Sequence, residues 1–388
     1  MATLLYRTGG ESHGSALIAL VEGMPHGCPI DAAFIDRELQ RRQGGYGRGG
    51  RQQIETDRVQ YLTGIRMGKA VGSPITLLIP NKDNRLNDAV ATPPLYHPRP
   101  GHADLAGAMK WLTTDCRETL ERASARETAA RVAAGALARC LLKQFDIEVF
   151  GFVRAVGQAT ANIEVTPHNW RELLAKRDAS EVYCPDGGGA DAAMKDFIDR
   201  QRTNRDTAGG ICECHVFGCP IGLGSCTTWD GRLDSRIAAA VIAIQAFKGV
   251  EFGLGFATAT LPGSQVHDEI AFDPATRNTP SLGFTRRTNN AGGLEGGMTN
   301  GQPLVIKAAM KPISTLGKPL QSLDLRTKQA SEAGWERSDI SAISAASVVM
   351  ENVIAFEVAR AMIEKFAGDS LTEMHQNYTA YLTAARNL

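Results

Sequence analysis

The sequence predicts a mixed α+β protein with helices in the middle of the fold. Three observations point there. Strand-like runs are punctuated by glycine but do not alternate regularly with helices, which disfavours a doubly wound parallel sheet. Three long alanine- or valine-rich segments carry helical periodicity. No linker divides the 388 residues, so residues 1–388 are read as a single domain.

The elements follow in order. "ALIALVEGMP" reads as a strand running into a turn, and Asp31 is placed to cap the helix "AAFIDRELQRRQ". Ile35, Leu39 and Arg42 share one face of that helix, and Gly44-Gly45, able to turn left-handed, ends it. "RQQIETDRVQYLTGI" predicts two short strands and "GSPITLLIPN" another, before an aperiodic loop from Lys82 to His102. Leu105 to Phe145 is helical in pattern, and alanine-rich "ASARETAARVAAGALARCLLKQF" suggests close helix packing.

"RLDSRIAAAVIAIQAFKG" predicts a second helix, apolar nearly all round and therefore buried. "VVMENVIAFEVARAMIEKFAG" predicts a third, with Val349, Val353, Phe356 and Ile363 in one stripe and Gly368 as its stop. Between them "IEVFGFVRAVGQ", "GICECHVFG", "EFGLGFATA" and "PLVIKAAM" are strand-like. The segment Thr166 to Gly209 is the least ordered by composition, and "CPDGGGADAAM" within it reads as a surface turn.

Composition excludes whole classes of function. Forty-two Lys plus Arg balance 42 Asp plus Glu, which argues against general nucleic-acid binding. No apolar run reaches the ~20 residues of a membrane span, and the opening apolar stretch is too short for a signal peptide. The chain reads as cytoplasmic, with its eight scattered cysteines reduced. "CECHVFGCPIGLGSC" invites a zinc site, but its spacing matches no standard ligand pair. Ile211, Glu213 and His215 alternate instead with Cys212, Cys214 and Val216, as along a strand.

Several glycine-bounded polar islands are candidates for chemistry. "RRQGGYGRGGR" packs four arginines among five glycines. It is open to three readings: an RGG-type RNA-binding segment, a dinucleotide loop through its G-x-G-x-x-G outline, or a rigid loop gripping an anionic metabolite. A helix, not a strand, precedes it, and the chain has neither repeated RGG units nor net positive charge.

"GGESHG" sets Ser12 beside His13, and "HPRPGHADLAG" brings Arg99 and His102 to a helix start near Asp104. In "ERASARET", Arg122 and Arg126 lie four apart on one expected helical face around Ser124. "TNNAGGLEGGMTNGQP" suits a cofactor lying against backbone. "KPIST" offers a cation and two hydroxyls to a phosphate without forming a P-loop. "ERSDIS" places Arg337 and Asp339 ahead of the last long helix.

Together "GGESHG", "RRQGGYGRGGR", "RPGHADLAG", "ERASARETAARVAAGALA", "IQAFKGVEFG", "NNAGGLEGGMTNGQP", "KPISTL" and "RSD" occur in the order seen in chorismate synthases. The chain resembles that family over nearly its whole length. The resemblance implies helices sandwiched between antiparallel β-sheets, a homotetramer, and the anti-1,4 elimination of phosphate from 5-enolpyruvylshikimate 3-phosphate with reduced FMN.

It further implies that His13 acts as general acid on the departing phosphate and that His102 supplies a proton to the reduced flavin. Asp339 would act with flavin N5. Ser12, Arg42, Arg48, Arg99, Ser124, Arg126 and Arg337 would surround the substrate's phosphate and carboxylate. Arg122, Ala123, Ser124, Gln245, Ala246, Gly297, Lys311, Pro312, Ile313, Ser314, Thr315 and Arg337 would hold the flavin. No reductase segment is evident, so the reductant is expected from outside, with NADPH acting indirectly through an external flavin reductase. Ser341 and Ser344 stand where the family usually has Cys and Pro. Neither a metal, a nucleic acid nor a membrane is implied as a partner.

Overall fold

A computed structural model describes residues 3–49, 56–334, 336 and 338–388. Two antiparallel sheets flank a layer of helices. The first sheet contains β1 (Leu5–Gly9), β2 (Ala16–Glu22), β3 (Gln60–Tyr61) and β4 (Ile75–Pro80), in the order β1-β2-β4-β3. The second contains β5 (Glu148–Val156), β6 (Ala159–Thr160), β7 (Gly210–Phe217), β8 (Phe247–Phe252) and β9 (Leu304–Met310), in the order β8-β9-β7-β5-β6. Every neighbouring pair in both is antiparallel.

The middle layer is built from α1 (Ala32–Gln43), α4 (Thr128–Leu142) and α6 (Ile343–Phe366). Short helices α2 (Asp104–Lys110) and α3 (Arg117–Ala123) precede α4, α5 (Leu233–Ile242) flanks α6, and α7 (Leu371–Ala385) follows it. The α+β class and sandwich order are as expected. The main apolar cluster runs through the chain from Leu4 to Met374.

Local chemistry explains the middle layer. The Asp31 side chain accepts from the Phe34 amide at 2.9 Å and starts α1, which buries Ile35, Leu39 and Arg42 on one face. Alanines line α4, so α6 approaches it closely. At Gly135 a Cβ would lie 2.2 Å from the Asn352 carbonyl oxygen, and only glycine permits that crossing.

Several expectations need correction. The helical run around "ERASARET" is broken: α3 ends at Ala123 and a 3₁₀ turn, Ala125–Glu127, precedes α4. Ser124 is extended, and its Oγ takes the Arg126 amide that a continuous helix would have used. Arg122 and Arg126 therefore share no face. The second predicted helix stops at Ile242, and "FKGVEF" is strand β8, reached through Ala246 at φ 70°. Helix α5 is not buried all round, since it buries Leu233, Ile237 and Val241 while Ile242 is 44% exposed.

"EFGLGFATA" is also not a strand, because only Glu251 and Phe252 belong to β8 and Gly255–Thr260 is 3₁₀. The polar segment 166–209 is more ordered than its composition suggests, forming helices Trp170–Ala179 and Gly189–Thr203, the latter starting inside the expected surface turn. Trp170 and Leu173 anchor the first under the outer face of the second sheet, against Phe150, Phe152 and Phe217. Of the two predicted strands in 51–65, residues 51–55 lie outside the described residues, and Gln60–Tyr61 and Ile65–Arg66 are short strands.

The first part of the cysteine-rich run, to Phe217, is strand β7, as the alternation predicted. Cys212 and Cys214 point into the main core, while Glu213 and His215 are buried on the other side. His215 meets Glu213 at 2.7 Å, and Arg154 meets the same carboxylate at 2.6 Å. Among the described residues no three His, Cys, Asp or Glu side chains gather as a metal site. No helix among them is long and apolar enough to cross a membrane.

Candidate active site

The ends of the helical layer meet the loops of both sheets around a cavity of about 690 Å³. It takes walls from distant parts of the chain: the β1–β2 turn at Ser12 and His13, the glycine loop after α1, the α3–α4 junction, the α5–β8 turn, Lys311 with Ile313–Thr315, and Glu336, Ser338 and Asp339.

Each histidine in it is held by a carboxylate. His13 Nδ1 lies 2.9 Å from both oxygens of Glu121, and the His13 amide donates to Oε2 at 2.9 Å. Burial alone would raise the Glu121 carboxyl, but hydrogen bonds from His13 and the charges of His13 and Arg117 outweigh it and lower the pKa. An ionised carboxylate only accepts, so Nδ1 carries the proton. The other ring nitrogen, Nε2, faces Asp83 at 3.6 Å and Arg85 at 3.4 Å.

His102 repeats the arrangement through Nδ1 and Asp104. Asp104, fully buried, also takes Arg99 Nε at 2.8 Å, while Arg99 Nη1 donates to Thr315 at 2.9 Å. Burial would raise Asp104, but His102 and Arg99 hold it well below the usual carboxylate range. Arg99 thus braces His102 and Thr315 together.

The arginines cluster opposite. Arg42 Nε donates to Thr128 at 2.9 Å and Nη2 to the Ala125 carbonyl at 2.9 Å. Arg126 Nε donates to Asn81 at 2.9 Å and Nη1 to Asp57 at 2.7 Å. Arg42 Nη1 approaches the same Asp57 at 3.6 Å. Burial, aided by the like charges of Arg126 and Arg48 against Asp57, pulls the Arg42 guanidinium down to about 9. Such a cation gains from any anion brought beside it.

The glycine loop closes onto the segment before α6. Arg48 pairs with Asp339 at 3.0 Å, and the Gly49 amide donates to the same carboxylate at 2.6 Å. Gly45 has φ 105°, and a Cβ there would lie 2.4 Å from Ser344. Glycine is needed on both counts. Ser344 in turn donates to the Val182 carbonyl at 3.1 Å, and Ser341 is fully buried beside the loop.

A less charged end of the cavity carries Ala123, Ser124, Gln245, Ala246, Lys311, Ile313, Ser314 and Thr315. Ser124 donates to Ser12 at 3.2 Å, joining the two ends. Lys311 Nζ donates to the Gly101 carbonyl at 2.8 Å. Burial and its neighbour Lys248 lower the Lys311 pKa.

Three residues named from the sequence lie off the cavity lining. Arg122 turns away to the Gly10 and Thr8 carbonyls at 2.9 and 3.2 Å. Gly297 sits in the hairpin Leu294–Thr299, where its carbonyl accepts from the Leu233 amide. Pro312 faces solvent. Arg337 lies outside the described residues.

Residues the sequence reading left without a role include Glu121, Asp57, Asp83 and Arg85. Glu121 carries a signal in sequence, since it begins the "ERASARET" island. Asp57 and Asp83 are brought to the arginines and His13 only by tertiary folding.

Paired histidine–carboxylate units facing guanidiniums across a partly apolar cavity define an enzyme site for a small polyanion. The family model for chorismate synthase matches residues 4–363. A chorismate synthase of Geobacter metallireducens is 51% identical over 99% of this chain and 100% of its own length. One from Desulforamulus reducens is 50% identical over 96% of each. A crystal structure of chorismate synthase superposes with TM-score 0.81 at 37% identity, covering 100% of this chain and 99% of its own. The chain belongs to the chorismate synthase family.

Proposed function

We propose that this cavity performs the family's reaction, the anti-1,4 elimination of phosphate from 5-enolpyruvylshikimate 3-phosphate to give chorismate. The observation that carries the reading is His13, carboxylate-held, in one cavity with Asp339 and the Arg42–Arg48–Arg126 cluster. The phosphate leaves on one part of the ring and the proton on another, so acid and base must stand apart.

The family in general needs a reduced flavin, and we read it as FMN. The residues fit that group. Lys311, Ser314 and Thr315 offer a cation and hydroxyls, and Lys311 is already unfavourably close to Lys248, a strain that a phosphate dianion relieves. Ile244, Ile313, Ala346 and Val349 give an apolar wall for a flat ring. When bound, reduced FMN supplies electron density to the allylic system as the C–O bond breaks.

The protein's own groups do the rest. Arg42, Arg48 and Arg126, with Ser12 and Ser124, bind the phosphate and carboxylate, and burial strengthens each charge-assisted bond. His13 holds a proton at Nε2 for the departing phosphate. His102, oriented by Asp104 and Arg99, holds a second at the cofactor end. Asp339 receives the proton lost from the ring, and the Arg48–Gly49 loop excludes water.

We also read the chain as one domain, cytoplasmic, assembling as a homotetramer and drawing on an external reductant, with NADPH acting indirectly through a flavin reductase. Exposed Phe256 and Ile270, at 83% and 68%, support an assembly that covers them.

Anaerobic incubation with dithionite-reduced FMN and the substrate, followed by chorismate absorbance, tests the reading. His13→Ala and Asp339→Ala are each expected to lower kcat by about 100-fold or more with FMN binding still measurable by flavin fluorescence. No product from the unaltered protein, or full turnover in either variant, overturns it.

A further inference from the structure

We infer that Glu121 is a positioning residue for this reaction, its carboxylate fixing the His13 ring so that Nδ1 carries a proton and Nε2 is presented to the leaving phosphate. The inference deepens the proposed function and rests on its reading of His13 as proton donor.

Four contacts tie Glu121 to the Ser12–His13 turn. Its two carboxylate oxygens each lie 2.9 Å from Nδ1, and Oε2 also accepts from the His13 amide. Its carbonyl accepts from the Ser12 amide at 3.0 Å. Ring and main chain are thus registered by one side chain that is 1% exposed.

Helix stability does not explain that side chain. Glu121 stands in the last turn of α3, where the helix dipole disfavours a carboxylate, and burial disfavours it again. The one gain to the helix from this charge is the long i,i+4 pair with Arg117, worth at most about 0.5 kcal/mol. Arg117, at 3.7 Å from Oε1, steadies the carboxylate from the helix side.

The remaining charged groups among the described residues that face His13 are Asp83 and Arg85, both toward Nε2. Asp83 competes for an Nε2 proton, so without Glu121 the ring has a rival hydrogen bond that draws it from the substrate. With Glu121 present, the Nε2 proton passes to the phosphate oxygen, which keeps the C–O bonding pair. The ring is left neutral with Nδ1–H still on Glu121.

The test uses the full-length enzyme with reduced FMN and substrate. Glu121→Gln is expected to lower kcat about 10- to 100-fold with KM changed less than about threefold. Without the counter-charge, the alkaline limb of the kcat–pH profile moves to lower pH by about one unit. A purely structural role would lower the amount of folded enzyme and leave that limb in place.

Nitrogen-15 NMR of the imidazole in the unaltered protein, above its titration, provides a measurement independent of any variant. An Nδ1–H tautomer at His13 supports the inference, and an Nε2–H tautomer overturns it. Wild-type kcat and pH profile in Glu121→Gln, beside an inactive His13→Ala, overturn the positioning role alone. An active His13→Ala overturns the acid role beneath it.

Discussion

Arg41 and Arg42 are sequence neighbours in the last turn of α1, yet they enter two different electrostatic worlds. Arg41 meets Glu38 at 2.7 Å and Glu351 at 3.0 Å, joined by Arg139 and Arg177 on the same carboxylates. Burial would lower its pKa, but Glu351 and Glu38 outweigh that and hold the cation above its usual range. Arg42, one residue on, is pulled the opposite way. The first cluster is closed by its own carboxylates and locks α1, α4 and α6 together. The second gains from an added anion, and it lines the cavity. A buried guanidinium is structural or functional according to what already answers it, not according to its depth.

The comparison breaks most visibly at Glu351. Glu351→Ala leaves Arg41, Arg139 and Arg177 buried without one of their carboxylates, and a loss of about 3–5 kcal/mol is expected from chemical denaturation. Substrate KM in the molecules that remain folded is expected to stay near the original, because the cluster does not line the cavity. Arg48→Ala is the converse. It should raise substrate KM about tenfold or more while shifting the unfolding free energy by less than about 1 kcal/mol.

Acid sharpens the contrast further. Burial would raise Glu38, but Arg41, Arg139 and the Asn352 hydrogen bond hold it at about 2 against an ordinary 4.5. A carboxyl with a depressed folded pKa contributes stability that is complete above its unfolded value and lost as pH falls through the folded one. The denaturant midpoint should therefore decline from pH 4.5 towards about 2, and Glu38→Gln should flatten that decline.

The sequence made some of this legible and hid the rest for physical reasons. Asp31, the Ile35–Leu39–Arg42 face and the β7 alternation are local patterns, and each is realised as read. His13, His102 and the arginines were found as islands, because glycine and proline mark backbone that must approach a ligand.

The break at Ser124 was not visible, since a serine inside an alanine-rich run is tolerated in helices as often as it ends them. The helix at 170–179 has no legible apolar stripe, because its apolar burial rests on two residues, Trp170 and Leu173, meeting aromatics from the second sheet. Glu121 looks in sequence like any helical glutamate beside an arginine. Its value appears only when a turn more than a hundred residues away is laid against it.

Helix α6 fills the middle of the sandwich but follows both sheets in the chain. During synthesis, α4 can cover the first sheet early, but the second sheet lacks its main helical partner until residues 343–366 have been made, and Glu351 reaches Arg41 only then. The order of translation thus makes the closing of the second sheet's half of the core a late event. Until that helix docks, the second sheet exposes an apolar inner face of the kind that chaperones bind.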